Sequence, residues 1–340
     1  MIEVKNLVKK YGNHTAVKGI SFKVDTGKIY GFLGPNGAGK STTMNIMTGC
    51  LAATEGNVLI NGHDIFLEPK AAKKCIGYLP ELPPVYMDMT PIEYLTFVGK
   101  ARGVKKNVLS SQIQEIMEMT GIDNMKNRLI RNLSKGYRQR VGLAQALVGY
   151  PEIIILDEPM VGLDPKQIIE IRELIKSLKE NHTVFLSSHI LSEVSEICDY
   201  VMIISDGRLV ASDTPENLSK NFSGNTLELT VKGSENAVVS SIRHIAGVNG
   251  ITVKSNENGV IKAVITSDRD IRSDVFAAFQ ASILEVSSSS MSLEDIFLKY
   301  TENEEEPEEA EEDEDDGEEY ESLFTSDASD AKNEKKEDEE

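Results

Sequence analysis

The hydrophobic pattern changes period several times along the chain. IEVKNL (2–7) alternates apolar and polar positions with the period of two of a half-buried strand. Asp25-Thr26-Gly27 reads as a turn, and KIYGFL (28–33) as a short buried strand. A Gly-rich loop follows, then a helical pattern from Lys40 to about Gly49. VLIN-Gly (58–62) predicts an edge strand and turn. Residues 90–130 read helical: Thr90-Pro91-Ile92-Glu93 is a capping box with Pro at the first helical position. Ile113, Ile116 and Met117 repeat at helical spacing. Beyond 133 helix and strand alternate: helix 135–149, strand 152–157, helix 166–179, strand 183–187, helix 190–197, strand 200–204. That alternation predicts a mainly parallel sheet covered by helices. Asp206-Gly207 marks a hairpin, and Thr214-Pro215 starts a short helix.

A second pattern runs from 225 to 300. It reads strand 226–232, helix 236–246, strand 250–255, strand 259–266, helix 270–281, strand 283–287, with Asn256–Gly259 as the middle turn. This is the β-α-β-β-α-β order of a ferredoxin-like unit, closed by a helix at 292–300.

Charge separates a third region. The formal charge is −19, and residues 301–340 hold 22 Asp+Glu against 3 Lys+Arg, so the whole imbalance lies there. With few apolar residues, that stretch is expected to be a disordered acidic tail. The body, residues 1–300, is balanced, which argues against a general nucleic-acid binder. Cys50, Cys75 and Cys198 are far apart and form neither a disulfide framework nor a zinc motif. The start lacks a signal-peptide apolar stretch. IIIL (153–156) and VMII (201–204) are far short of the roughly 20 residues that span a bilayer. The expectation is a cytoplasmic protein whose membrane role, if any, needs a partner.

Three motifs carry chemistry. Gly34-Pro35-Asn36-Gly37-Ala38-Gly39-Lys40-Ser41 fits G-x-x-x-x-G-K-[ST] between a predicted strand and helix. Its backbone N–H groups can line phosphate oxygens at the positive helix start. Lys40 is placed to reach the β/γ-phosphates and Ser41 to hold Mg²⁺. IIIL-Asp157-Glu158-Pro159 is a buried strand that releases carboxylates at its C-terminal edge, where open α/β sheets bind ligands. Asp157 is the candidate partner of Mg²⁺, and Glu158 the candidate general base. Leu133-Ser134-Lys135-Gly136-Tyr137-Arg138-Gln139-Arg140 opens a helix with Ser134 as cap and Gly136 as a bare backbone step.

LSKGYRQR resembles the signature sequence of ABC-type ATPases, and residues 1–220 carry the family's motifs in order. The resemblance implies a P-loop NTPase fold: a RecA-like α/β core, an antiparallel β subdomain and a helical arm, here followed by a small α+β domain and the tail. The implied domains are 1–222, 223–300 and 301–340. It also implies that Ser134 and Gly136 of one subunit face the γ-phosphate bound to another, so that two ATP-binding subunits, alike or different, sandwich ATP. Residue by residue, Tyr11 matches the adenine-stacking aromatic and Asp164 the loop joining two sites. His189 matches the histidine on the γ-phosphate. Thr42 follows Ser41 in the phosphate-binding set. Glu81, in the expected loop Gly77-Tyr78-Leu79-Pro80-Glu81, stands where relatives often have a glutamine that helps bind Mg²⁺. Lys135 and Tyr137 replace the usual glycine and glutamine. The implied function is an ATP-hydrolysing transporter subunit of the bacterial exporter type. It would be peripheral on the inner face of the cell membrane, beside a separate permease, with ATP and Mg²⁺ and without nucleic acid. A soluble ABC ATPase acting on ribosome or DNA is the alternative, and an inactive scaffold a third reading. Met87, Met89, Met117, Met119 and Met125 read either as core filling or as a groove for a permease helix.

Overall fold

The computed structural model describes residues 1–222, 225–257, 259–279 and 282–289. The chain divides into two units, Met1–Glu302 and Asn303–Glu340. The helix expected at 292–300 and the acidic tail lie outside the described residues. Among the described residues no helix is long and apolar enough to cross a membrane.

A four-stranded antiparallel sheet has the order β2-β1-β4-β5, from β1 (Ile2–Tyr11), β2 (His14–Val24), β4 (Glu55–Ile60) and β5 (His63–Asp64). The 58–62 segment is therefore not at an edge: two residues, His63 and Asp64, pair outside it, too short a run to leave a periodic signal. The central sheet has the order β10-β9-β3-β8-β7-β6. Its strands are β3 (Ile29–Leu33), β6 (Ile76–Leu79), β7 (Ile153–Leu156), β8 (Thr183–Ser188), β9 (Tyr200–Ser205) and β10 (Arg208–Asp213). All neighbours are parallel except the β9–β10 hairpin. The loop expected at 77–81 begins as strand, over residues 77–79. The structure makes them part of β6, recruited by pairing with β7 rather than by any propensity of four residues.

The two faces of this sheet explain its aliphatic runs. Ile29, Leu33, Ile154, Leu156, Val184 and Leu186 pack in one core with residues of α3 (Pro91–Ala101), α4 (Lys106–Met119), α5 (Lys135–Leu147), α6 (Pro165–Leu178) and α7 (Leu191–Ser195). Tyr30, Phe32, Ile153, Ile155 and Phe185 pack in a second core with α1 (Lys40–Met47), α2 (Pro69–Lys74) and the antiparallel sheet. A strand buried on both faces has no polar side to show, so alternation disappears. The capping box at Thr90 forms as the spacing predicts, with Glu93 Oε2 accepting from Thr90 N at 2.9 Å. Thr214 Oγ1 accepts from Asn217 N at the start of α8 (Pro215–Phe222). Met117 is core and Met89 and Met125 pack against that core, whereas Met87 and Met119 are exposed.

The third sheet has the order β12-β13-β11-β14, antiparallel throughout. The chain there runs β11 (Asn225–Lys232), α9 (Glu235–Arg243), β12 (Val248–Glu257), β13 (Val260–Ser267), α10 (Arg272–Phe279), β14 (Ile283–Ser289). This is the element order read from the sequence. Leu227, Leu229, Val231, Ile261, Ala263 and Ile265 form its own core with Val238 and Ile242 of α9 and Val275 of α10.

Candidate nucleotide site

β3 is buried along its whole length and delivers the chain at Gly34 to the C-terminal edge of the central sheet. The loop 34–39 then turns into α1. Gly39 has φ 101°, and a Cβ there would lie 2.6 Å from the Ala16 carbonyl oxygen, so both conformation and space require glycine. α1 starts without a side-chain cap and without an acidic residue in its first turn. Its positive end is left to an external anion. Asn36 and Gly37 are exposed, Pro35 is half-buried, and Gly34 and Ala38 are buried. Ser41 and Thr42 are half-buried in the first turn of α1.

Lys40 is 6% exposed, and its Nζ donates to the carbonyls of Gly34 at 2.8 Å and Pro35 at 3.0 Å. It also lies 3.6 Å from Glu158 Oε1. Burial pushes its ammonium below the ordinary lysine value, while Glu158 and Asp157 hold it up. Asp157 and Glu158 leave the end of β7 and are both buried. Burial raises the Asp157 carboxyl, and hydrogen bonds from Ser187 and Ser41 oppose that rise. Ser41 Oγ is 3.4 Å from Asp157 Oδ1. Glu158 has φ 48°, a left-handed backbone that a non-glycine residue adopts only under constraint. The constraint is visible: Glu158 N donates to Ser187 Oγ at 2.9 Å, and that hydroxyl donates to Asp157 Oδ1 at 2.6 Å. His189, just past β8, places Nδ1 2.9 Å from Glu158 Oε2.

Lys40, Ser41, Asp157, Glu158 and His189 thus come together from three separate strand ends. Ser187 is a member that the sequence reading passed over. The signal was its place at the end of β8, the strand that pairs with β7.

Among the described residues, Ser134, Gly136, Asp164, Tyr11 and Glu81 make no hydrogen bond or ion pair with this cluster. Ser134 caps α5, accepting from Tyr137 N at 3.4 Å. Gly136 is buried against α6, and a Cβ there would lie 2.6 Å from the Gln167 carboxamide. Gln167 is the third residue of α6 and completes a capping box with Asp164. The signature helix and the Asp164 loop are therefore built as one piece. Tyr11, at the end of β1, is 48% exposed, with Lys9 Nζ 5.1 Å from its ring centroid. Glu81 is exposed beyond β6 and makes no hydrogen bond or ion pair among the described residues. Its charge nonetheless acts on Lys40.

A hard cation fits the donors present. Ser41 Oγ and Asp157 Oδ1 converge, both are oxygens, and no group of three or more His, Cys, Asp or Glu side chains among the described residues could cage an ion. Mg²⁺ is typically held in this way, by one or two side chains together with phosphate oxygens.

Residues 17–161 match the family model described as ABC transporter. The chain is 34% identical over 305 residues to the linearmycin resistance ATP-binding protein LnrL of Bacillus subtilis (strain 168), covering 88% of this chain and 98% of that protein. It is 36% identical over 231 residues to the lantibiotic transport ATP-binding protein SrtF of Streptococcus pyogenes, covering 67% of this chain and 98% of the relative. Among solved structures, the dimeric structure of MJ0796, a bacterial ABC transporter cassette, superposes with a TM-score of 0.58 at 26% identity, over 63% of this chain and 98% of the cassette. With a phosphate loop, a buried acidic pair and a capped signature helix in one α/β frame, the chain belongs to the ATP-binding proteins of the ABC transporter family.

Proposed function

We propose that this chain is the motor subunit of a membrane exporter, with residues 1–222 as the cassette and 223–300 as an accessory domain. The observation that carries the reading is the convergence of Lys40, Ser41, Asp157, Glu158 and His189 at one sheet edge. ATP is the substrate. The N–H groups of residues 36–42 and the Lys40 ammonium bind its phosphates, and Tyr11 offers a face to the adenine. Ser41 and Asp157, with Glu81 as a further carboxylate, would hold Mg²⁺, which supplies neutralisation of charge on the β/γ-phosphates. Glu158 accepts the proton of the attacking water, and His189 orients that carboxylate and the γ-phosphate.

One chain carries one phosphate loop and one signature helix. Ser134, Gly136 and Asp164 make no hydrogen bond with the cluster among the described residues, and they complete a site on a second ATP-binding subunit. That MJ0796 cassettes are described as dimeric supports this arrangement. Contacts bridged by the γ-phosphate exist only before hydrolysis, so hydrolysis is the release step that moves an attached permease. The names of the relatives, linearmycin resistance and lantibiotic transport, favour an antibiotic as cargo. The test is co-isolation from detergent-solubilised membranes. A polypeptide with several spans is expected with the chain, and ribosomes or DNA in its place would overturn the transport reading.

A further inference from the structure

Three carboxylates are buried among the described residues: Asp157, Glu158 and Glu193. The reading above uses the first two and leaves the third. Glu193 lies in the first turn of α7 and is 6% exposed. A carboxylate so far out of water is costly unless something holds it. Among the described residues it accepts from Ser188, whose Oγ donates to Glu193 Oε2 at 3.1 Å. The same Oγ accepts from Ile190 N at 3.0 Å. These two bonds bracket His189, the residue between Ser188 and Ile190, whose Nδ1 lies 2.9 Å from Glu158 Oε2.

A hydroxyl has one proton to give. Ser188 has a second acceptor within reach, the Ile190 carbonyl at 3.4 Å. Glu193 is both nearer and a stronger acceptor, so it decides where that proton points. Burial raises the Glu193 carboxyl, the Ser188 hydrogen bond opposes that rise, and the Glu158 charge adds to it. The Ser188 hydroxyl is thus the contact that holds the buried carboxylate. A carboxylate that only answered the helix dipole at the start of α7 would be exposed and would need no link to residue 188.

We infer that Glu193 is a positioning residue for hydrolysis: through Ser188 it fixes the turn at 188–190 and so the place of His189 against Glu158. The inference rests on the assignment of Glu158 and His189 to the hydrolytic step.

The experiment uses the full chain with the substitutions Glu193→Ala, Glu193→Gln, Ser188→Ala and the Ser188→Ala/Glu193→Ala pair. Steady-state ATP turnover, ATP affinity and the thermal midpoint are measured for each. Glu193→Ala is expected to lower kcat about 10-fold or more with ATP affinity unchanged. Glu193→Gln keeps an acceptor oxygen and is expected to stay within about threefold of the parent chain. The double variant is expected to fall no further than the worse single one, because both remove the same link. Unchanged kcat in Glu193→Ala, additive losses, or loss of ATP affinity in step with the thermal midpoint would each overturn the inference. If Glu193→Ala fails to fold, Ser188→Ala alone decides it by the same split between kcat and affinity. Glu158→Gln serves as reference: retained turnover there defeats the site assignment itself, whereas an inactive Glu158→Gln beside a fully active Glu193→Ala defeats only the role of Glu193.

Discussion

The two α/β regions bury different chemistry. Within 1–222 the buried set includes Lys40, Asp157, Glu158 and Glu193, and the backbone at Glu158 is held left-handed. Among the described residues of 225–289 the buried set is aliphatic apart from Ser267, and Asp270, Arg272 and Arg269 sit at the surface. Burying charge opposes folding, and a structure tolerates it where the charges hold one another and do work on a ligand. The second region is stable for the ordinary reason, a covered apolar face.

The sharpest way to break this comparison is at Glu158. Glu158→Gln is expected to lower ATP turnover by on the order of 10²-fold or more while ATP binding survives, read by phosphate release and nucleotide titration. Unchanged turnover would remove Glu158 as the base. Next comes Lys40→Ala, which removes a charged donor from the phosphate cradle. ATP affinity should fall by roughly 10-fold to 10²-fold, about 1.5–3 kcal/mol, measured by equilibrium binding.

The opposite signature is expected in the second region. Ile265 is fully buried in the third core. Ile265→Ala should destabilise that region by about 2–5 kcal/mol in chemical denaturation and leave ATP turnover of the folded chain intact. A parallel loss of turnover would show that the two regions are coupled in the machine. The smallest effect is expected from truncation after Tyr300, which should leave basal ATP turnover unchanged.

Much of the site was legible because its chemistry is local. The phosphate loop, the IIIL-Asp-Glu run and the Thr90 capping box each lie within one short segment, where spacing alone fixes the geometry. What was hidden depends on the pairing of distant strands. Ser187 touches Asp157 and Glu158 only because β8 lies beside β7. β6 exists because β7 recruits it. Glu193 sits at an ordinary polar position of a short helix, and only folding shows it to be buried under the histidine turn. The β-α-β-β-α-β order of the second region was legible from its clean alternation, since that sheet buries one face.

The central claim is that one chain holds half of each site and that ATP joins two halves. The most direct measurement is the sedimentation mass of the Glu158→Gln chain with and without saturating Mg-ATP. The account predicts a monomer without nucleotide and a dimer with it, reversed when Ser134→Arg blocks the signature. A mass that stays monomeric at saturating Mg-ATP, both in solution and within the membrane complex, would contradict it.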